Sequence, residues 1–157
     1  MTGYRKKRSF KMTLNGSPEQ VFPLLCPTRE YDWIETWQCE LIYSDSGFAE
    51  PGCIFKTSFS ADGPEDTWVV SRYEKPVLIE FVRVNPLRVI RYTITLTRAE
   101  NGGTEADWAQ VITGIGEGGQ QFVRDLDDED FHARMAMVEK MLDHYLKTGA
   151  MLRISSI

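Results

Sequence analysis

The sequence predicts a single α+β domain over residues 1–157: an antiparallel sheet of about seven strands, a long C-terminal helix, and two short helices after the first strand. Three observations predict it. Between residues 39 and 114, segments rich in β-branched and aromatic residues alternate with turn signals only a few residues long. Connections this short join antiparallel neighbours, because a parallel crossover needs a dozen residues or more. Beyond them, Phe131, Met135, Val138, Leu142 and Tyr145 recur at the three-to-four-residue spacing of one helix face. Finally, 157 residues, 42% apolar and 26% charged, suit one globule that holds a core without metal or disulfide.

The elements follow in order. Residues 7–14 form the first strand, with Phe10, Met12 and Leu14 alternating with polar positions. Ser17-Pro18-Glu19-Gln20 then opens a helix. Ser17 is a good N-cap, Pro18 suits the first helical position and Gln20 completes a capping box. Pro23 and Pro27 keep that helix short. Residues 29–37 predict a second helical turn or two. Six strands come next, at 39–44, 53–60, 66–74, 77–85, 88–98 and 104–113. Turn residues such as Asp62-Gly63-Pro64, Lys75-Pro76 and Asn101-Gly102-Gly103 separate them. Arg91, Thr93, Thr95 and Thr97 read as solvated, so the sheet has one wet face and one dry face. The long helix runs from about Asp128 to Lys147, opened by the acids of 127–130 and closed by Lys147 and Gly149. Its apolar stripe belongs on the dry face.

Three strings carry a likeness to a known family. They are Leu14-Asn15-Gly16-Ser17-Pro18-Glu19-Gln20-Val21-Phe22, Trp68-Val69-Val70-Ser71-Arg72-Tyr73-Glu74-Lys75-Pro76, and Gly103-Thr104-Glu105-Ala106-Asp107-Trp108. With the element order, they resemble the helix-grip fold of the START and birch-pollen-allergen superfamily (SRPBCC, polyketide cyclase/dehydratase-like) over nearly the whole chain. The resemblance implies a sheet curved around the C-terminal helix, with an elongated cavity between the two. It implies binding or transformation of lipids, sterols, polyketides and other apolar molecules, or a protein-interaction role. The family has no universal catalytic residues, so none is carried over.

Strand parity places Phe55, Phe59, Tyr92 and Trp108 on the dry face, with Thr57 and Gln110 among them. A mostly apolar wall with a few polar groups is how small-molecule sites are built. The expected ligand-binding set is therefore Phe55, Thr57, Phe59, Tyr92, Ile94, Trp108 and Gln110 from the sheet, with Met135, Val138 and Leu142 from the helix. The expected function is binding of an apolar or amphipathic small molecule such as a lipid or polyketide. Two alternatives stand beside it: a polyketide cyclase/dehydratase-like enzyme, and an interaction module of chaperone-activator type. An enzyme needs an acid or base, and Glu80, which interrupts Val77-Leu78-Ile79-Glu80-Phe81-Val82, is the weak candidate. The hairpin before it does not fix the register, so parity leaves Glu80 open to either face.

Other chemistries are not supported. No metal and no cofactor are expected. His132 and His144 lie twelve residues apart, Asp128 and His132 find no further ligands, and the three cysteines lack metal-type spacing. Gly114-Ile115-Gly116-Glu117-Gly118-Gly119 fits a dinucleotide fingerprint, but the βαβ unit it requires is missing. It reads as a flexible turn by which the chain leaves the sheet. No G-x-S-x-G string marks a nucleophile. With a net charge of −5, Arg5-Lys6-Lys7-Arg8 reads as a solvated strand start, and no nucleic-acid partner is expected. Apolar runs are far too short for a membrane span, and no apolar segment follows the basic N-terminus as in a signal peptide. Unpaired thiols then suggest the cytoplasm. Oligomeric state is left open.

Overall fold

A computed structural model describes residues 3–154. Strand β1 (Arg5–Leu14) leads into α1 (Pro18–Val21) and two 3-10 turns, at Phe22–Leu24 and Glu30–Asp32. Then come β2 (Glu40–Tyr43), β3 (Ile54–Thr57), β4 (Asp66–Glu74), β5 (Leu78–Asn85), β6 (Arg88–Arg98) and β7 (Thr104–Gly114). A third 3-10 turn, Ser60–Asp62, lies between β3 and β4. Helices α2 (Gly116–Arg124) and α3 (Asp128–Thr148) follow the sheet. This is the helix-grip architecture: seven strands, all antiparallel, in the order β1-β7-β6-β5-β4-β3-β2. The first strand pairs with the last, from Arg5 opposite Thr113 to Leu14 opposite Thr104.

Side-chain alternation gives the sheet its two faces. On β6, Ile90, Tyr92, Ile94 and Leu96 are buried, while Arg91 and Thr97 are exposed. Helix α3 lies along the inner side of β1 in the same direction. Asp128 meets Lys6 Nζ at 3.0 Å, Glu139 accepts from Thr13 N at 2.8 Å, and Asp143 accepts from Asn15 N at 2.8 Å. Its expected stripe is where it should be: Phe131, Met135 and Leu142 are buried, Val138 and Tyr145 half-buried. Each such side chain fully buried stabilises the fold by roughly 1.5–3 kcal/mol. The caps form as the sequence suggests. Ser17 Oγ accepts from Gln20 N, Gln20 Oε1 accepts from Ser17 N, and Asp127 accepts from Glu129 N. Gly149, at φ +71°, ends α3 in the left-handed region that favours glycine.

Three expectations are corrected. Strand β3 stops at Thr57 because the chain winds into the 3-10 turn at Ser60–Asp62. Phe59 therefore leaves the sheet and packs half-buried beside Trp37, ring centroids 5.7 Å apart. The glycine-rich segment is no flexible turn: from Gly116 it is helix α2. A Cβ on Gly119 would lie 2.0 Å from the Leu87 carbonyl oxygen, and one on Gly114 2.6 Å from the Gly119 carbonyl oxygen. These glycines let the helix press onto the β5–β6 hairpin and the end of β7. The basic run at the start of β1 is solvated on one side only. Arg5 and Lys7 are exposed, but Lys6 and Arg8 turn inward with the strand's period of two.

Candidate functional site: the hollow between sheet and helix

The inner face of the sheet carries a continuous aromatic wall. Phe55 stacks on Trp68 at 5.0 Å between centroids, Trp68 meets Phe81 edge-on at 5.5 Å, and Tyr92 meets Trp108 at 6.0 Å. Strand register makes this wall: Phe55 is opposite Trp68, Phe81 opposite Tyr92, and Ile94 opposite Trp108. Helix α3 faces it, and the Tyr92 hydroxyl donates to Met135 Sδ at 3.7 Å. The wall is not completely sealed. Trp68, Tyr92, Trp108 and Met135 keep 6–8% of their surface accessible, whereas Ile79 and Ile112 keep none.

The structure brings most of the expected residues together. Phe55, Thr57, Tyr92, Ile94, Trp108 and Gln110 are buried on the inner face, with Met135 and Leu142 opposite and Val138 half-buried beside them. Thr57 accepts a hydrogen bond from Trp68 Nε1 at 2.9 Å, so its hydroxyl is already engaged. Glu80 is not part of the site. Its neighbours Ile79 and Phe81 face the core, which turns Glu80 to the outer face. There its carboxylate accepts from Ser71 Oγ at 3.0 Å and Thr93 Oγ1 at 2.9 Å.

Several polar residues enter the interior that the expected set lacks. Asp66, 1% exposed, accepts from both Arg83 and Arg88, and Arg83 also reaches Asp62 at 2.8 Å. The Arg83 guanidinium lies 3.9 Å above the Trp68 ring. From β1, Arg8 Nε donates to Gln110 Oε1 at 2.7 Å, and its guanidinium lies 4.2 Å from the centre of the Phe131 ring. Burial and the nearby Arg134 charge lower Arg8 to about 10. The 3-10 turn at Glu30–Asp32, anchored where Glu30 N donates to Cys26 O at 2.9 Å, presents Glu30 to the same interior. Glu30 is half-buried, near enough to Arg83 and Tyr92 for the charges to be felt. Burial raises its carboxyl to about 8, against an opposing pull from Arg83, so it is largely protonated at neutral pH. Burial likewise pushes the Tyr92 phenol above its ordinary range.

Three buried donors in this region have no hydrogen-bond partner among the described residues: Arg8 Nη1, Arg83 Nε and Trp108 Nε1. Buried N–H groups are seldom left unpaired, and each orphan costs about 1–3 kcal/mol. The interior thus combines an apolar aromatic wall, donors that lack acceptors, and a carboxyl held in its neutral form. That arrangement can bury an apolar skeleton, orient it by an acceptor group, and exchange a proton at Glu30 Oε. A surface depression lies elsewhere. About 580 Å³ in size and lined by residues such as Lys11, Thr13, Thr95 and Glu105, it lies on the outer face with no comparable convergence of groups.

Comparison with known proteins agrees with this architecture. No family model matches the chain, and no curated protein matches it. Among solved structures, the Zhui aromatase/cyclase from Streptomyces sp. R1128 superposes with a TM-score of 0.68 at 9% identity, covering 95% of this chain and 100% of that one. Major latex-like protein 151 from Panax ginseng gives 0.65 at 13% identity, covering 90% and 97%. Ara h 8.0201 gives 0.64 at 13% identity, covering 92% and 99%. The chain shares the fold of these three proteins along almost its entire length. Among the described residues no helix is long and apolar enough to cross a membrane.

Proposed function

We propose that this protein binds an apolar or amphipathic small molecule in the hollow between the inner sheet face and α3. One observation carries the reading: the aromatic wall of Phe55, Trp68, Tyr92 and Trp108 surrounds buried donors that have no acceptor in the protein. The wall removes apolar ligand surface from water at roughly 25 cal/mol per Å². A ligand acceptor on Trp108 Nε1 would satisfy a donor already stripped of water, which orients the ligand. A titration with Nile red, a neutral apolar dye, tests this. Saturable binding that shifts in Trp108→Phe, with folding retained, is the expected result. Absence of a site in the folded wild type would refute it. If Trp108 instead only fills a packed core, Trp108→Ala costs roughly 3–5 kcal/mol and the dye finds no site.

Glu30 favours a second reading, an enzyme of the cyclase/dehydratase kind. A neutral carboxyl beside the aromatic wall is the acid or base that such chemistry needs. The shared fold with an aromatase/cyclase adds support. Native mass spectrometry of protein isolated from its own cells separates the two. A carrier holds the same species in wild type and Glu30→Gln, whereas an enzyme's Glu30→Gln variant accumulates a different, unprocessed one. The three unpaired cysteines suit a reducing compartment, and we place the protein in the cytoplasm.

A further inference from the structure

Among the described residues, Arg8 is the guanidinium of the interior that no carboxylate meets in an ion pair. Asp66 and Asp62 neutralise Arg83 and Arg88. Arg134 pairs with Asp130 at 3.0 Å. Arg8 has Gln110 Oε1, the face of Phe131, and the like charges of Arg134 and Arg83 around it, while the opposing charge of Asp128 is held by Lys6 at 3.0 Å. Its Nη1 is buried and makes no hydrogen bond. A half-buried cation beside two others is unfavourable in the empty protein, because partial desolvation and repulsion act together. The same placement makes it a strong receptor for an anion, since the donor is already dehydrated and aimed.

From this we infer that the hollow takes an amphipathic carboxylic acid, its apolar body against the aromatic wall and its carboxylate on the Arg8 guanidinium between β1 and α3. This rests on the small-molecule reading above and narrows the ligand class. The charge count selects a monoanion, because only Arg8 is left unmatched. The cleft on the other side of Arg8, framed by Asp62, Arg83, Arg88, Ile90, Phe122 and Arg134, is about 10 Å³, room for roughly one water, so the head group reaches Arg8 from the aromatic wall and not through this cleft. A planar carboxylate fits the guanidinium fork with two parallel hydrogen bonds. Continuity with the wall selects an apolar tail: Gln110, which holds Arg8, lies directly opposite Tyr92 in the sheet.

The test is displacement of bound Nile red by decanoate, decan-1-ol and acetate, in wild type, Arg8→Met and Arg8→Gln. Decanoate should displace the dye from wild type at concentrations at least tenfold below those of decan-1-ol, and acetate should not displace it. In Arg8→Met the decanoate preference should fall to near one while decan-1-ol is unaffected, because methionine keeps the packing on Phe131. Arg8→Gln keeps a polar contact to Gln110 and should give the same collapse, which covers a methionine variant that fails to fold. Unliganded Arg8→Met should melt no lower than wild type, since an unmatched cation has been removed. Equal affinity for acid and alcohol in wild type overturns the proposal, as does an acid preference that survives in both variants. Acetate displacing as well as decanoate reduces the site to a free-anion cleft and also overturns it. If the dye itself finds no site, the small-molecule reading fails, and this proposal fails with it.

Discussion

Two carboxyl groups of the interior meet opposite surroundings. Asp66 accepts from two guanidiniums, whereas no side chain among the described residues donates to Glu30. The cost of burying Glu30 therefore falls on its ionised form, and its carboxyl sits near 8 instead of the ordinary 4.5. The sign of the linkage follows. The folded state binds this proton more tightly than the unfolded chain, so the contribution to stability is fully present below about pH 4.5 and is lost as pH rises through 8. Glu30→Gln keeps the shape and removes the titration. Unfolding free energies from denaturant titrations between pH 5 and 9 should fall in wild type relative to Glu30→Gln, by roughly 3–5 kcal/mol in full. Parallel curves for the two proteins would show that Glu30 is solvated in the native state. The sequence offered no signal for this residue: Glu30 stands among Arg29, Tyr31 and Asp32 in a segment that predicts no more than a helical turn or two, too short for neighbouring residues to give an inside or outside. Arg8 and Arg83 differ in this respect. Each shares its face of the strand with buried or half-buried apolar residues, Phe10 and Met12 in one case and Ile79 and Phe81 in the other. Parity placed them inward, and only the habit of reading charges as surface concealed it.

At the scale of elements, α2 shows how a motif with one known use serves another. Alanine for glycine inside a helix ordinarily stabilises by up to about 1 kcal/mol. Gly118 has open space around it, and Gly118→Ala should gain about that much. Gly119→Ala would drive a methyl to 2.0 Å from the Leu87 carbonyl, and the backbone there has no rotamer by which to yield. Overpacking of this kind costs roughly 1–3 kcal/mol, which outweighs the helix gain. Urea unfolding of the two variants should therefore move in opposite directions, and equal shifts would mean that α2 is not docked on the hairpin. The strands themselves were legible almost to the residue, because turn chemistry and period two agreed throughout 66–114. The helix at 116–124 was not, since four glycines in six residues, from Gly114 to Gly119, mask helical periodicity. What fixes α2 is a tertiary contact with Leu87, which no local window contains.

For the whole molecule, stability comes from one sheet and one long helix closing over a shared core. Cys26, Cys39 and Cys53 are all unpaired, so neither reductant nor a chelator such as EDTA should move the thermal midpoint. A drop with chelator would reveal a structural metal. The aromatic half of the candidate site was readable from strand parity, and its polar half was not, because register between distant strands decides which charges meet. The same register has a consequence for how the chain is made. The first strand has its partner 108 residues downstream, at Arg5 and Thr113, and every other strand pair is a neighbour in sequence. During synthesis β2 to β7 can zip as successive local hairpins, while β1 waits with both edges unpaired until β7 has left the ribosome. Closing so long a loop is an entropic cost met before any of its hydrogen bonds form. Exposed strand edges invite pairing with other chains. The interval before β7 emerges is therefore when this protein is most open to misassembly, and the charges that flank the start of β1, Arg5 and Lys7, keep that waiting strand soluble.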